Sequence, residues 1–292
     1  SWDGDTVLVA TGSYVENITW PATNGIKLIG SGEGDCIIDG DHQAGVIRFE
    51  ENLGGIIDTA TLITGFTIQN GTSSDGGGIY IHSNPGPFLL NLIISGNFST
   101  SDGGGMYYLN SNPRLENVTI ISNSANNDGG GIYTNGSNLS LKNATISGNS
   151  ADRGGGIYSK DDLDIDNCTI ANNIDGQNAS NISLDGMLTI HNSIIWQNVE
   201  SETWEGWGIV DGTSTAINYS DVSQTITGGT GNIFEDPLFV DPNNGDYHLQ
   251  STSPCIDAGD PESPLDPDST RADMGAYYFD QSEVNIVTVT PD

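Results

Sequence analysis

The six residues DGGGIY, at positions 128–133, decide the fold. The phrase recurs as DGGGIY at 75–80, DGGGMY at 102–107 and RGGGIY at 153–158. The glycine triplets start at Gly76, Gly103, Gly129 and Gly154, with steps of 27, 26 and 25. An asparagine column, Asn91, Asn117, Asn143, Asn167 and Asn192, keeps the same register. So does a second column, Asn70, Asn97, Asn123, Asn149, Asn173 and Asn198. Self-similarity at a fixed period of this length marks a repeat architecture.

The segments between the columns are strands. LENVTIIS, LKNATISG and IDNCTIAN are short and β-branched, and Gly, Asn, Ser and Asp bound them. No sustained apolar period of 3.6 occurs, so helices are not expected. A unit of 24–27 residues with short strands and Gly/Asn corners is one coil of a parallel β-helix. Leu115, Ile120, Leu141 and Ile146 are expected inside, stacked asparagines to satisfy one another's amides, and glycine triplets to turn corners that a Cβ would forbid. The expected organisation is a single-stranded right-handed parallel β-helix over 1–250 and an irregular closing segment over 251–292. That segment would lead into a linker to a further sorting or anchor domain.

Composition excludes some partners. The chain has 292 residues, 39 glycines, only 7 Lys plus Arg, and a formal net charge of −32. Neutralising phosphates or anionic lipid requires cations, so nucleic acid and direct membrane binding are not expected. No apolar run approaches the roughly 18 residues of a membrane span, and no signal peptide is visible. The opening SWDGDTVLVA is already strand-like, which points to residues upstream. Cys36 and Cys168 are about five coils apart, roughly 24 Å at 4.8 Å per strand, beyond disulfide reach. All three cysteines, with Cys255, read as buried free thiols.

GDTVLVATGSYVENI followed by IKLIGSGEGDCIIDGD resembles the entry segment of right-handed β-helix proteins of the pectate-lyase-like superfamily. The NSANNDGGGIY and NSADRGGGIY units resemble repeats of secreted bacterial β-helix proteins, including the polymorphic outer-membrane group. DPLFVDPNNGDYHLQSTSPCIDAGDP and DPDSTRADMGAYYFD resemble the closing segment of choice-of-anchor β-helix proteins. The resemblance implies the fold, and secretion or a bacterial cell-surface location. It does not fix an activity, because such folds host lyases, hydrolases, epimerases and adhesins.

Two site readings follow from the residues. Tyr80, Tyr107, Tyr133 and Tyr158 form a column next to inward residues, so they are expected to point out as an exposed aromatic ladder for sugar rings. Trp196, Trp204 and Trp207 would extend it. Asp75, Asp102 and Asp128 form an acidic column, and Asp266, Asp268 and Asp273 an oxygen-rich loop; both are candidate calcium ligands. A polysaccharide lyase or hydrolase would need a base and a charge partner. Asp128, Asp152, Arg153, Lys160 and Asp161 are the candidates, although the G-H-G of polygalacturonases is absent. Structural readings stand beside these: Arg153 as partner of Asp128 and Asp152, Lys142 paired across coils with Glu116 and Asp166, and Arg271 held by Asp257, Asp268 or Asp273. The leading expectation is an extracellular polysaccharide-binding module without catalytic residues. The alternatives are a calcium-assisted lyase or hydrolase, and a self-associating surface protein.

Overall fold

The computed structural model describes residues 4–49, 57–83, 86–176, 181–196, 210–211, 214–223 and 228–282. They form a right-handed parallel β-solenoid of about 7 turns. Each coil has two long faces joined at a corner, then a short strand, then a third face. The strands Leu62–Gln69, Phe88–Ser95 and Arg114–Ile121 run through the first corner and pair in register, Leu89 with Ile63 and with Leu115. In the next coil the same path is split into Leu139–Lys142 and Thr145–Ser147. The third face stacks Ile79–His82, Met106–Leu109, Ile132–Asn135 and Ile157–Ser159.

The first asparagine column makes the first corner. Asn91, Asn117, Asn143, Asn167 and Asn192 all have φ between 47° and 53°, and Gly65 precedes them at 77°. Asparagine is among the few side chains that tolerate this left-handed conformation, which bends the strand without breaking the coil. Asn117 Nδ2 donates to Asn91 Oδ1 at 3.0 Å, and Asn143 Nδ2 to Asn117 Oδ1 at 3.1 Å.

The second column is shifted by one residue from its expected start. Asn70 is a left-handed corner residue, stacked with Gly96, while Gly71 aligns with Asn97 and donates its N–H to Asn97 Oδ1. From Asn97 onward the ladder is buried. Asn97, Asn123, Asn149 and Asn173 each donate an Nδ2–H to the next asparagine Oδ1, at 2.9–3.0 Å, the last of them to Asn181, which the sequence columns did not include. Asn198 lies outside the described residues.

Inside, one aliphatic residue per coil builds each column: Ile63, Leu89, Leu115, Leu141, Ile165 and Ile190 on the first face, and Ile68, Ile94, Ile120, Ile146, Ile170 and Ile195 on the second. The three cysteines are buried and free. Burial pushes the Cys168 thiol up to about 12.

The parallel ladder ends sooner than residue 250. Among the described residues its last strand pairing joins Ile195 to Val222, followed by a bridge from Asp221 to Ile233. Phe239–Asp241 and Asp246–Leu249 then form an antiparallel hairpin. That hairpin and the segment after it fold back along the second face. Phe239, Tyr247, Leu249, Cys255 and Met274 pack there on Ala171 and Ile194.

Candidate functional site

The tyrosine ladder forms, but its rings are buried (Tyr133, Tyr158) or half-buried (Tyr80, Tyr107). The rings of Tyr80, Tyr107, Tyr133 and Tyr158 stack at centroid distances of 5.3, 5.0 and 5.6 Å, tilted by only 4–6°. They lie on the side of the third face away from the core, as side-chain alternation requires. Tyr133 and Tyr158 are nevertheless only 4% and 5% exposed. The reason is the corner that precedes them. The first glycine of each triplet is left-handed (φ 58–65°) and tucks the chain against the ring: a Cβ on Gly103 would lie 2.9 Å from the Cβ of Tyr107. Cations complete the cover. Arg48 sits 4.1 Å from the Tyr80 centroid, Arg153 4.9 Å from that of Tyr158, and Lys160 5.7 Å from that of Tyr133. The expectation of a flat exposed aromatic platform is therefore corrected: the stacked rings are a packed layer. Trp196 does not extend it, because Trp196 stands on the second face against the closing segment. Trp204 and Trp207 lie outside the described residues.

The candidate catalytic group comes together only in part. Arg153 grips Asp128 in a bidentate pair, Nε to Oδ1 at 2.8 Å and Nη2 to Oδ2 at 2.6 Å. Asp152 stays exposed beside it. A hydrogen bond to Tyr133, above all, raises the Lys160 ammonium, and one to Asp128 raises the Arg153 guanidinium. Both stay protonated, which is the wrong state for a base. Asp161 accepts the Ser137 N–H at 3.0 Å. Lys142 stands in register between Glu116 and Asp166, whose carboxylates bond Arg114 and His191 instead. Arg271 donates to the carbonyls of Gly259 and Ala258, not to an aspartate.

The acidic candidates are held by the protein's own donors. Both Asp128 oxygens are taken by Arg153. Asp102 accepts the Asp128 N–H, and burial, with the charges of Asp128 and Asp75, raises its carboxyl; Asp75 is half-buried. In the loop, Asp266 accepts the Asp273 N–H, Asp268 those of Thr270 and Gln281, and Asp273 those of Asp257 and Phe279. These carboxylates replace missing backbone partners in an irregular segment. Among the described residues no three His, Cys, Asp or Glu side chains converge as a metal site.

An open site lies where the first asparagine column meets the closing segment. A cleft of about 510 Å³ runs between the closing segment and the first corner. Its floor crosses successive coils through Ile93, Asn117, Thr119, Asn143, Thr145 and Asn167. Its wall is Asp266, Asp273, Tyr277 and Tyr278, with Glu33 at another edge. Tyr278 is 42% exposed, and Tyr277 stacks on His248 at 4.4 Å. Gly275 and Ala276 fix the wall: their N–H groups donate to Asn192 O at 2.8 Å and Thr169 Oγ1 at 3.0 Å. His191 ties the same segment down, with Nδ1 3.2 Å from Asp166 and Nε2 3.0 Å from Asp260. Burial, then the charges of Asp266 and Asp257, pushes Asp273 up to about 6, and burial also raises Asp266.

No curated protein matches the sequence. The family model described as "Right handed beta helix region" matches residues 56–232, more than half of the chain. That match, with the coils seen directly, makes the chain a member of the right-handed β-helix family.

Proposed function

We propose that this chain binds an extracellular polysaccharide in the cleft beside the closing segment, and holds it without cleaving it. One observation carries the reading. The cleft crosses successive coils, so its floor repeats amide and hydroxyl groups at about 4.8 Å while tyrosines flank it. A repeating polar floor beside aromatic faces suits a repeating ligand with alternating hydroxyls and CH faces. A secreted or surface location follows from that ligand class. Arg153 and Lys160 are held protonated, and both Asp128 oxygens are bonded to Arg153, which favours holding over cleavage.

Affinity electrophoresis through gels containing different polysaccharides tests this. Retardation with intact polymer, weakened by Tyr278→Ala, is the expected result. A cleared zone would replace holding by hydrolysis or elimination, and the absence of retardation across neutral, cationic and anionic polymers would remove the glycan reading.

A second reading has its own observation. In the strands Thr6–Leu8 and Gly12–Val15, Leu8 is 76% and Val15 67% exposed. Apolar side chains this exposed favour burial against a second copy. Sedimentation at rising protein concentration tests it.

A further inference from the structure

We propose that the cleft selects a polymer of amino sugars carrying free, protonated amino groups, over neutral or acidic glycans. This rests on the polysaccharide reading above and names its ligand class.

The lining is one-sided. Glu33, Asp266 and Asp273 border the cleft, and no lysine or arginine is among the described residues that line it. Five of the chain's seven cations are engaged elsewhere, and the other two, Lys27 and Lys142, are exposed and do not line the cleft. Arg48, Arg153 and Lys160 lie on the tyrosine ladder, Arg114 bonds Glu116 across 2.7 Å, and Arg271 donates to backbone carbonyls. A uronate chain entering here would meet carboxylates with no counter-charge, and like charges brought together are costly.

An ammonium group fits the same surface. It has three donors and no acceptor, so it needs oxygens. The floor supplies them: Asn117 Oδ1 has two lone pairs and the ladder uses one, from Asn143 Nδ2. Thr119 and Thr145 add hydroxyls, and Asp266 has used only Oδ2, on the Asp273 N–H. Tyr277 and Tyr278 offer ring faces, to which a cation is also attracted. The net charge of −32 draws a polycation toward every part of the surface, so steering favours this class before contact. What distinguishes the cleft is that acids, amide oxygens and aromatics coincide in one concave place.

Titration calorimetry at low ionic strength tests the inference with three short probes of equal length: oligoglucosamine, its fully N-acetylated form, and oligogalacturonate. Oligoglucosamine is expected to bind about tenfold more tightly than the acetylated form, with no binding of the galacturonate. Glu33→Gln, at an exposed position, and Asp266→Asn should each weaken oligoglucosamine about three- to tenfold and the acetylated form by much less. Asp41→Asn is exposed, away from the cleft and equal in charge change, so it should alter neither. Equal affinity for the two glucosamine forms overturns the proposal. So does tighter binding of galacturonate, or an Asp41→Asn effect as large as that of Glu33→Gln, which would mean a general field and no site. Binding of none of the three probes would remove the glycan reading itself.

Discussion

Gly131 lies against the carboxamide of Asn149. A Cβ on Gly131 would sit 3.1 Å from Asn149 Nδ2 and 2.5 Å from the carbonyl oxygen of Gly156. The same relation joins Gly105 to Asn123 and Gly156 to Asn173. The glycine triplet and the buried asparagine ladder are therefore one device. The first glycine supplies the left-handed turn. The third leaves room for an amide that bonds the coils together.

Asn149→Ala should be among the most damaging substitutions in the chain. It deprives the Asn123 N–H and Nδ2 of their acceptor, Ile120 O of its donor, and Asn173 Oδ1 of another. Several buried polar groups left unpaired cost about 3–5 kcal/mol. Gly131→Ala should not rescue it, because the clash with Gly156 O is with backbone and remains. Urea unfolding of the two single variants and the double variant checks this; recovery in the double variant would refute the steric half of the account.

Tyr133 should matter for stability and not for ligand. Its ring stacks on both neighbours and is nearly buried, so Tyr133→Leu should cost about 2–4 kcal/mol, through two ring contacts and lost packing. Affinity for any glycan bound in the cleft should be unchanged at a temperature where the variant is folded. Thermal unfolding and calorimetry, read together, separate the two effects. A loss of affinity with little loss of stability would return the ladder to the role of a binding surface.

The coil could be read from sequence because each corner imposes its own chemistry once per turn. A left-handed first corner takes asparagine, a left-handed third corner takes glycine, and the interior takes one aliphatic residue per strand. Register at the start of the ladder was less legible: Asn70 and Gly71 swap the order that Gly96 and Asn97 adopt, and both orders satisfy the same corner. The tyrosines' side of the strand followed from alternation, but their cover did not. It is made by a corner that turns back and by cations arriving from other coils, such as Arg48 and Lys160. The floor asparagines and the wall residues Asp266 and Asp273 each stood out in the sequence, but their meeting did not, for a related reason. Asn117 and Tyr278 meet only because an aperiodic segment folds back across several coils, and no spacing in the sequence records that.

The Asp128–Arg153 pair should behave as a desolvated bond whose value lies in not being half-broken. Asp128 is buried, whereas the guanidinium is partly open to water, so Arg153→Met should cost about 1–3 kcal/mol, mostly from the uncompensated carboxylate. Replacing both, as Asp128→Asn with Arg153→Met, should recover most of that loss. A double-mutant cycle in urea measures it. Additive losses would show that the two side chains act independently, contrary to the bidentate geometry.

Stability should fall as pH rises from about 4 to about 7, and one buried acid should account for much of the slope. Asp221 is fully buried under the closing segment; Oδ2 accepts the Cys255 thiol at 3.2 Å and Oδ1 the Glu235 N–H at 3.4 Å. Burial pushes its carboxyl up to about 7. The unfolded chain has an ordinary carboxyl, near 3.9, so it releases this proton first as pH rises. Ionisation then favours the unfolded state until the folded carboxyl also ionises, and the loss levels off above about 7. Asp273, pushed up to about 6, adds a loss of the same sign in a narrower window. Asp221→Asn keeps an acceptor for Glu235 and cannot ionise. Its stability relative to the parent should therefore rise between pH 4 and pH 8, by on the order of 2–4 kcal/mol. Asp273→Asn should show the same trend with pH over its narrower window, superimposed on a structural loss. Both Asp273 oxygens accept backbone N–H groups, so an amide NH₂ must face a donor, and that mismatch should cost about 1–3 kcal/mol before the pH-dependent gain is added. General repulsion in so acidic a chain shares the sign of the Asp221 effect, and either substitution relieves it by one charge. Urea unfolding of the parent and both variants at the two pH values therefore isolates the local contribution. Parallel pH profiles for the parent and Asp221→Asn would mean that the Asp221–Cys255 contact does not govern how the closing segment is held.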